Sequence, residues 1–297
     1  MKLKKVFGAL ALATTAGIAL AACAPSSSSS NATSGSGSSK ETTLRVGVMT
    51  LNDTSKDVWT KVAEKVKSEG VKIELKEYTD YTQPNKALNQ DEVDVNAFQH
   101  IYFLNNWNKE NKADLQIAGY TIYTPIRLYS GVDGDKERYS KVEDIPNGAK
   151  VGIPNDATNE SRALYLLEQA GLIKLKVENN GLATKANITE NSKNLDIQEV
   201  SAEQLVRARG SLDAAVINTN YAQQGGIDVS TAIFVEKPSD ITEQWYNIIA
   251  AKKGWESSDK ADAIKKLVAA YNSEDIAKIY EEKTKGAEIP IWDSVKK

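Results

Sequence analysis

One stretch of the chain, residues 151–171, constrains the fold more than any other. It reads VGIPNDATNESRALYLLEQAG. A short apolar run at 151–153 ends at Pro154, and the small polar residues that follow are typical of a turn that opens a helix. Apolar side chains then recur at helical spacing until Gly171, which predicts a left-handed cap. The stretch therefore predicts a strand, a polar turn and a helix in succession.

Arg162 lies in the first turn of this predicted helix. Unpaired backbone N–H groups concentrate positive potential at a helix N-terminus, so a cation there requires an anion nearby. Asp156 and Glu160 are local candidates, since ion pairs at exposed helix ends are common. A ligand carboxylate is the other candidate, and the local sequence does not decide between them.

The N-terminal residues predict export. Three lysines precede a mostly apolar run at 6–20, which ends Leu-Ala-Ala-Cys at Cys23. This is the pattern of a signal peptide with a lipobox, so we expect residues 1–22 to be removed and Cys23 to carry a diacylglycerol. Cys23 is the only cysteine, and a lone thiol has no disulfide partner. The alternative is an ordinary buried cysteine after an uncleaved apolar helix.

Residues 23–42 are rich in Ser, Gly, Ala and Thr, which indicates a flexible tether after the lipidated cysteine. The whole chain has 37 basic and 40 acidic residues. Loss of the signal peptide removes three lysines and no acids, leaving 34 against 40, a net charge of −6. An acidic body argues against nucleic-acid binding. We expect a lipid-anchored protein on the extracytoplasmic face of the cell membrane.

Strand and helix patterns alternate through the rest of the chain. A buried strand pattern at 44–49 precedes a helix pattern that Thr54 or Ser55 can cap. An alternating strand pattern at 71–78 follows, and such a β-α-β unit implies a parallel pair of strands. The alternation starts again near residue 126. We therefore expect an α/β fold with mainly parallel sheets covered by helices.

The number of predicted strands is larger than one sheet usually contains, which indicates two lobes. The first lobe is expected to comprise residues 43–122 and 239–297, with the second lobe, 123–238, inserted between them. Two linking segments produce a hinged cleft, and ligands of open α/β sheets bind beyond the carboxyl ends of strands. Three polar segments follow strands in this way: 99–100, 155–162 and 218–219.

The sequence offers little for catalysis. His100 is the only histidine, and no cysteine stays free after lipidation, so no Ser/His/Asp or Cys/His set is apparent. We find neither a metal-ligand cluster nor a phosphate-binding loop. Paired acids at 91–94 are more typical of a solvated surface. We therefore expect no enzyme activity, no metal and no cofactor.

Binding of a small zwitterion fits the polar residues better. A carboxylate binds well to a guanidinium fork, which Arg162 offers. An ammonium group requires a carbonyl oxygen, which Asn218 can provide at a strand end. Tyr81, Phe98 and His100 are aromatic and can line a pocket for an apolar side chain or a thioether. Core packing of the first two, and a helix-start hydrogen bond by His100, are the alternatives.

Four segments carry a family resemblance: NAFQH at 96–100, YTQPNKAL at 81–88, VGIPNDATNESRALYLLEQAGLIKLK at 151–176 and AVINTNYA at 215–222. With the lipobox, they resemble the methionine-binding lipoproteins of the NlpA/MetQ family, in the family's order and over nearly all of the chain from residue 44. The resemblance implies a two-lobed, periplasmic-binding-protein-like fold with a ligand cleft between the lobes. It also implies delivery of L-methionine to an ABC importer, a permease with its ATPase. We expect a monomer.

The resemblance also assigns roles to individual residues. Arg162 would take the ligand carboxylate and Asn218 the amino group. The side chain would be enclosed by the aromatic residues Tyr81, Phe98 and His100. Asn159 and Asn247 match further residues near the family's site.

Some positions depart from the family pattern. Arg127 is large and charged where relatives usually carry Gly or Ala, Trp245 stands where Tyr is usual, and the loop at 50–53 lacks glycines. These departures concern side-chain specificity, so a methionine-containing dipeptide, D-methionine or another apolar amino acid is an alternative ligand. A surface adhesion or host-interaction lipoprotein that has kept the fold is the alternative from another functional class.

Overall fold

The computed structural model describes residues 41–295, which form an α/β fold with two main sheets. The strands are β1 (Thr42–Met49), β2 (Val71–Tyr78), β3 (Val95–His100), β4 (Gln116–Tyr123), β5 (Arg127–Ser130), β6 (Val132–Asp133), β7 (Lys136–Glu137), β8 (Lys150–Pro154), β9 (Lys174–Leu175), β10 (Ile188–Glu190), β11 (Asp196–Val200), β12 (Ala214–Ile217), β13 (Phe234–Val235), β14 (Tyr246–Ala251) and β15 (Ile289–Pro290). The helices are α1 (Asp53–Lys67), α2 (Gln83–Asn89), α3 (Ile101–Asn111), α4 (Ala157–Gln169), α5 (Leu205–Ala208), α6 (Thr219–Gln224), α7 (Ala261–Tyr271) and α8 (Glu274–Thr284).

The two sheets draw on different parts of the chain. The first sheet has the order β15-β4-β14-β3-β1-β2, so its strands come from residues 42–123 and 246–290. The second sheet has the order β11-β8-β12-β5-β13, with strands from residues 127–235. The expected two-sheet α/β architecture is present, with one sheet to each lobe. The proposed boundary at 238/239 lies between strands of different sheets, whereas the one at 122/123 falls one residue before the end of β4. Both stay a prediction.

The sheets are mixed, which corrects the expectation of mainly parallel strands. Pairing is parallel in β1–β2, β1–β3, β11–β8 and β12–β8. The strands β4, β5, β13 and β14, which enter and leave the second lobe, pair antiparallel with their neighbours. The β-α-β rule governs strands joined by a helix that covers their own sheet. It holds for β3 and β4, which α3 joins and which run parallel, but β14 returns from the second lobe and lies between them, antiparallel to both.

Helices cover both faces of each sheet. In the first lobe, α1, α7 and α8 bury apolar side chains such as Val62, Leu267 and Ile276 against β1 and its neighbours. On the opposite face, α2 and α3 contribute Leu88 and Leu104. In the second lobe, α4 packs on one face of the sheet, and α5 and α6 pack on the other. Only the strand ends and the polar segments that follow them are left to form a site.

The helix α1 begins at a different cap from the one expected. Asn52, rather than Thr54 or Ser55, is the N-cap residue, and its side chain accepts a hydrogen bond from the backbone N–H of Ser55. The Ser55 hydroxyl in turn accepts from the backbone N–H of Asn52, which completes a capping box. Asn52, two residues before Thr54, therefore provides the acceptor for an unpaired backbone N–H group at the start of α1.

The segment 151–171 has the predicted order of strand, turn and helix. Asp156 caps α4 by accepting a hydrogen bond from the backbone N–H of Asn159. Gly171 closes the segment with φ +74°, a conformation that favours glycine. Because α4 begins at Ala157, Arg162 is its sixth residue and lies in the second turn, not in the first as expected.

Two further differences concern short elements. Residues 202–209, whose pattern suggests one helix, form a 3-10 turn, Ala202–Gln204, followed by α5. The six-residue helix α6 was not expected, because it directly follows a buried strand without a clear apolar period. The predicted signal peptide, the lipidation at Cys23 and almost all of the tether lie outside the described residues. No helix within residues 41–295 has the length and apolar character needed to cross a membrane.

Candidate functional site

A cavity with about 400 Å³ of space, part of it open to solvent, lies between the two lobes. It is lined by Tyr81, Phe98, Gln99, His100, Phe103, Thr124, Ile126, Asn159, Arg162, Asn218, Thr219, Asn220 and Asn247. The seven residues proposed from the sequence as ligand contacts are all among them. The roles of the seven stay predictions, but the fold brings them to one space.

The polar lining residues are positioned by strand ends. His100 is the last residue of β3, and Asn218 directly follows β12. Arg162 is carried by α4, which follows β8 after a two-residue turn. Asn247 lies in β14, opposite His100 in the register. Side chains at the ends of strands from both sheets therefore converge, as the strand-end rule for open sheets leads one to expect.

Arg162 is buried and pairs with Glu236. The Nε atom donates to Oε1 at 2.8 Å, and Nη2 donates to Oε2 at 2.5 Å. The two side chains are 2% and 6% exposed. Burial alone would lower the pKa of Arg162, but the adjacent carboxylate of Glu236 raises it above its ordinary value. The anion near Arg162 is thus a residue from the segment that returns from the second lobe, not Asp156 or Glu160.

The ion pair is tied to both linking segments between the lobes. Oε2 of Glu236 also accepts hydrogen bonds from the Tyr123 hydroxyl at 2.8 Å and from the backbone N–H of Ile126 at 3.2 Å. Nη2 of Arg162 donates to the carbonyl of Thr124 at 2.9 Å. The third guanidinium nitrogen, Nη1, has no acceptor among residues 41–295. The two N–H groups of Nη1 are therefore available to a ligand.

Trp245 supports the guanidinium from the side. Its ring centroid lies 5.0 Å from Cζ of Arg162, and the Tyr123 ring lies 5.8 Å away. Both distances are within the range of cation–π attraction. Trp245 also packs edge-on against His100 at 5.1 Å. The residue that departs from the family's usual Tyr thus holds the arginine in place, although it does not line the cavity.

A hydrogen-bonded chain orients the carboxamide of Asn218. Nδ2 of Asn159 donates to the carboxylate of Asp156, which leaves Oδ1 of Asn159 facing the cavity. That oxygen accepts from Nδ2 of Asn218 at 2.8 Å. Oδ1 of Asn218, the other end of the same carboxamide, is buried and has no hydrogen-bond partner among residues 41–295. A buried acceptor without a partner is costly, so this oxygen is suited to an ammonium group.

His100 is neutral and serves two purposes. Its Nδ1 accepts from the backbone N–H of Phe103 at 3.0 Å, so the ring caps α3. Its Nε2 lies 3.4 Å from Oδ1 of Asn159, the arrangement of a donor in the Nε2–H tautomer. Burial, with a smaller contribution from Arg162, lowers the pKa of His100 to about 3. The helix-start bond and the cavity position, set out above as alternatives, are both found.

Aromatic rings form the opposite side of the cavity. The Tyr81 ring lies 6.0 Å from those of Phe98 and Phe103. Phe103 also stands edge-on to His100, at 6.1 Å between centroids. The Tyr81 hydroxyl donates to Oδ1 of Asn220 at 2.5 Å, a hydrogen bond that joins the two lobes. The result is an apolar wall whose polar edge is already satisfied.

Several residues of the site were not predicted. Phe103 lies one helical turn beyond His100, a spacing that could have identified it. Asn220 belongs to the unexpected helix α6. Glu236 lies two residues before the predicted lobe boundary at 238/239, and the requirement of a buried arginine for an anion could have pointed to it. Arg127 is buried outside the cavity, where Nη1 donates to the carbonyl of Pro125 at 2.7 Å and to Thr219 at 2.9 Å.

The chain is similar to known proteins along almost its whole length. The sequence profile of the family described as NlpA lipoprotein matches residues 44–292. The "probable D-methionine-binding lipoprotein MetQ" of Pasteurella multocida is 36% identical over 279 residues, which cover 93% of this chain and 94% of that protein.

Solved structures agree with these sequence comparisons. The substrate-binding protein of a methionine transporter from Streptococcus pneumoniae is 51% identical with a TM-score of 0.81, over 84% of this chain and 96% of that chain. A nutrient-binding protein from Burkholderia cenocepacia bound to methionine is 35% identical with a TM-score of 0.75, over 83% and 99% of the two chains. Both structures align with nearly their whole length, so the similarity is not confined to one lobe.

Proposed function

The chain belongs to the NlpA lipoprotein family, and from this premise we propose that it captures L-methionine outside the cytoplasm and delivers it to a methionine ABC importer. Such a protein binds and releases its ligand without a chemical step, so its site requires complementary charges and shape rather than a nucleophile or general base. It has no enzyme activity of its own.

One observation carries the proposal: the cavity presents a free guanidinium donor and an unpartnered carboxamide oxygen. Nη1 of Arg162 would donate to the α-carboxylate, and Oδ1 of Asn218 would accept from the α-ammonium. Charge-assisted hydrogen bonds are about twice as strong as neutral ones, and both groups are shielded from water. A free α-amino acid carries these two charged groups on the same carbon atom, so one small ligand can meet both the donor and the acceptor.

The aromatic wall suits the methionine side chain. A thioether is flexible and polarizable, and sulfur contacts with ring edges contribute about 0.3–1.5 kcal/mol each. Tyr81, Phe98 and Phe103 present such edges, and the neutral ring of His100 adds no charge that would exclude an apolar group. The proposed subsite would therefore take an unbranched apolar side chain.

Lobe closure would retain the ligand. Hydrogen bonds already cross between the lobes beside the cavity: Asn52 Nδ2 donates to Gln223 at 2.7 Å, and Gln224 donates to the carbonyl of Thr50 at 2.6 Å. With the bond between Tyr81 and Asn220, they join the first lobe to α6. Opening would break these bonds and expose the cavity, which is how the ligand would pass to the transporter.

A longer ligand is the second candidate. A neighbouring cavity shares Phe98, Thr124, Asn220 and Asn247 with the first and so extends the space between the lobes. A methionine-containing dipeptide could occupy both cavities. D-methionine is a further candidate, since the name of the Pasteurella relative refers to it.

The remaining parts of the proposal concern location and partners. Lipidation at Cys23 would anchor the protein to the cell envelope, with the residues up to 42 as a tether. The body would then meet the permease of the importer as a monomer at the extracytoplasmic surface. Relatives named as lipoproteins and as a transporter component support this arrangement.

Ligand binding can be tested with protein that begins at residue 24, which retains every described residue. Native mass spectrometry would detect a co-purified ligand. After unfolding and refolding to remove that ligand, calorimetric titration would compare L-methionine, D-methionine, leucine and a methionine dipeptide. We expect L-methionine to bind in the micromolar range or tighter. Absence of any small ligand, with no heat from any of these compounds, would favour the adhesion alternative.

A further inference from the structure

Two carboxylates lie behind residues that line the candidate pocket, the buried Glu236 and the half-buried Asp156. Glu236 lies against the guanidinium of Arg162, and Asp156 lies behind the carboxamides of Asn159 and Asn218. We propose that these two carboxylates make the pocket select zwitterions and reject monoanions that lack the ammonium group. This inference rests on the proposed function and extends it to the class of ligand that the site excludes.

Glu236 limits what Arg162 can offer an anion. Two of the three guanidinium nitrogens are taken by its carboxylate, and the pair is almost completely buried. A ligand carboxylate at Nη1 therefore approaches a cation that is already paired, and it is repelled by a carboxylate on the far side of that cation. Arg162 still orients the ligand carboxylate, but it supplies little net attraction for an anion.

Asp156 has the opposite effect at the other end. Its carboxylate accepts hydrogen bonds from Thr158, from the backbone N–H of Asn159 and from Nδ2 of Asn159. Every one of these partners is a donor, as an ionised carboxylate requires. Asn159 in turn orients Asn218, so the negative charge lies behind this pair of carboxamides. An ammonium group placed there gains attraction from Asp156 as well as a hydrogen bond.

The charges around the pocket favour a ligand that carries both signs. Arg162 and the buried Arg127, which donates to the lining residue Thr219, are set against Glu236 and Asp156, and His100 is neutral. A zwitterion adds no net charge to these walls and places its ammonium on the side of Asp156. A monoanion of the same shape adds an uncompensated negative charge and leaves Oδ1 of Asn218 without a partner. Discrimination thus comes from the two carboxylates rather than from steric fit.

The test compares L-methionine with 4-(methylthio)butanoate, which has the same skeleton without the amine. Calorimetry gives the dissociation constant of each ligand in the wild-type protein and in Glu236→Gln. The ratio compared is that of the analogue divided by that of methionine. We expect that substitution to reduce the ratio roughly tenfold, mainly by tightening binding of the analogue. Looser positioning of Arg162 would weaken both ligands through the carboxylate they share and would leave the ratio unchanged.

Matched variants separate charge from structure. Glu236→Asp keeps the charge and should keep the wild-type ratio, and Glu243→Gln removes an exposed charge and should alter neither constant. At the other end, Asp156→Asn can still cap α4. This substitution should weaken the binding of methionine roughly tenfold without weakening the binding of the analogue, and so it should also reduce the ratio.

The outcomes distinguish the inference from the function on which it rests. Wild-type protein that binds no methionine would overturn the proposed function. Wild-type protein that binds methionine, with a ratio unchanged within about twofold in both Glu236→Gln and Asp156→Asn, would overturn the zwitterion inference alone. If Glu236→Gln does not fold, Asp156→Asn decides the question, because that site is independent of the arginine pair.

Discussion

Replacing Arg162 by methionine should destabilise the ligand-free protein strongly, because the substitution leaves Glu236 buried without its cation. The guanidinium makes two charge-assisted bonds to Glu236 and one to the carbonyl of Thr124. Methionine replaces much of the side-chain volume and can still pack against Trp245, so the cavity term is small. The loss is therefore mainly electrostatic.

The magnitude follows from the burial of the pair. Removing one partner of a buried ion pair typically costs about 3–5 kcal/mol. Both side chains here are almost fully buried, and Glu236 would retain only the bonds from Tyr123 and Ile126. For a protein of this size, about 2–4 °C is lost per kcal/mol, so the melting temperature should fall by about 6–20 °C.

A double-mutant cycle tests the cause. Urea unfolding followed by tryptophan fluorescence would compare the wild type, Arg162→Met, Glu236→Gln and the double variant. In the double variant the carboxylate is no longer stranded, so we expect it to recover at least about 2 kcal/mol relative to Arg162→Met. Arg207→Met removes an exposed arginine and should change the free energy of unfolding by less than about 0.5 kcal/mol.

Two results would refute this reasoning. A destabilisation below about 1 kcal/mol in Arg162→Met would mean that the pair is more solvated than its burial indicates. A double variant no more stable than Arg162→Met would mean that the loss comes from packing rather than from an unpaired carboxylate.

Three further tests concern the pocket. Asn218→Ala should weaken the binding of methionine by about 1.5–3 kcal/mol in calorimetry, because it removes the acceptor for the ammonium. An unchanged affinity would exclude Asn218 from the site. Tyr81→Phe should lower affinity by about 1 kcal/mol through loss of the hydrogen bond to Asn220, and unaltered binding would show that this bond does not support closure. His100 has a pKa lowered to about 3, so the folded state binds fewer protons than the unfolded state below the ordinary pKa of 6.5, and stability should fall as the pH falls from 7 towards 3. Its signal, from the only histidine in the chain, should show a neutral ring in NMR down to pH 5, and titration near pH 6.5 would contradict burial.

The parts of the site that follow local rules could be predicted from the sequence. His100 and Asn218 stand at or just beyond the end of a buried strand, and Arg162 is carried by the helix that follows another; strand ends of an α/β lobe meet at one edge. The family resemblance added Asn159 and Asn247. The fold brings these residues to one cavity because each is positioned by a short, regular element.

The parts that depend on distant pairing could not be predicted. Glu236 meets Arg162 across 74 positions in sequence, and only the path of the linking segments brings them together. The antiparallel strands β4 and β14 have the same cause, since the chain crosses to the other lobe between them. Trp245 and Arg127 are interpreted from the sequence as departures from the family pattern that affect ligand specificity. Both are buried, and neither lines the cavity.

The orientation of the ligand is the most direct test of the central claim. A crystal structure of the protein with L-methionine should place the α-carboxylate within hydrogen-bonding distance of Nη1 of Arg162. The α-ammonium should lie at Oδ1 of Asn218 and the thioether against Tyr81 and Phe98, with the pair between Arg162 and Glu236 intact. A methionine bound with its carboxylate away from Arg162, or an Arg162 that leaves Glu236 to reach the ligand, would contradict the claim.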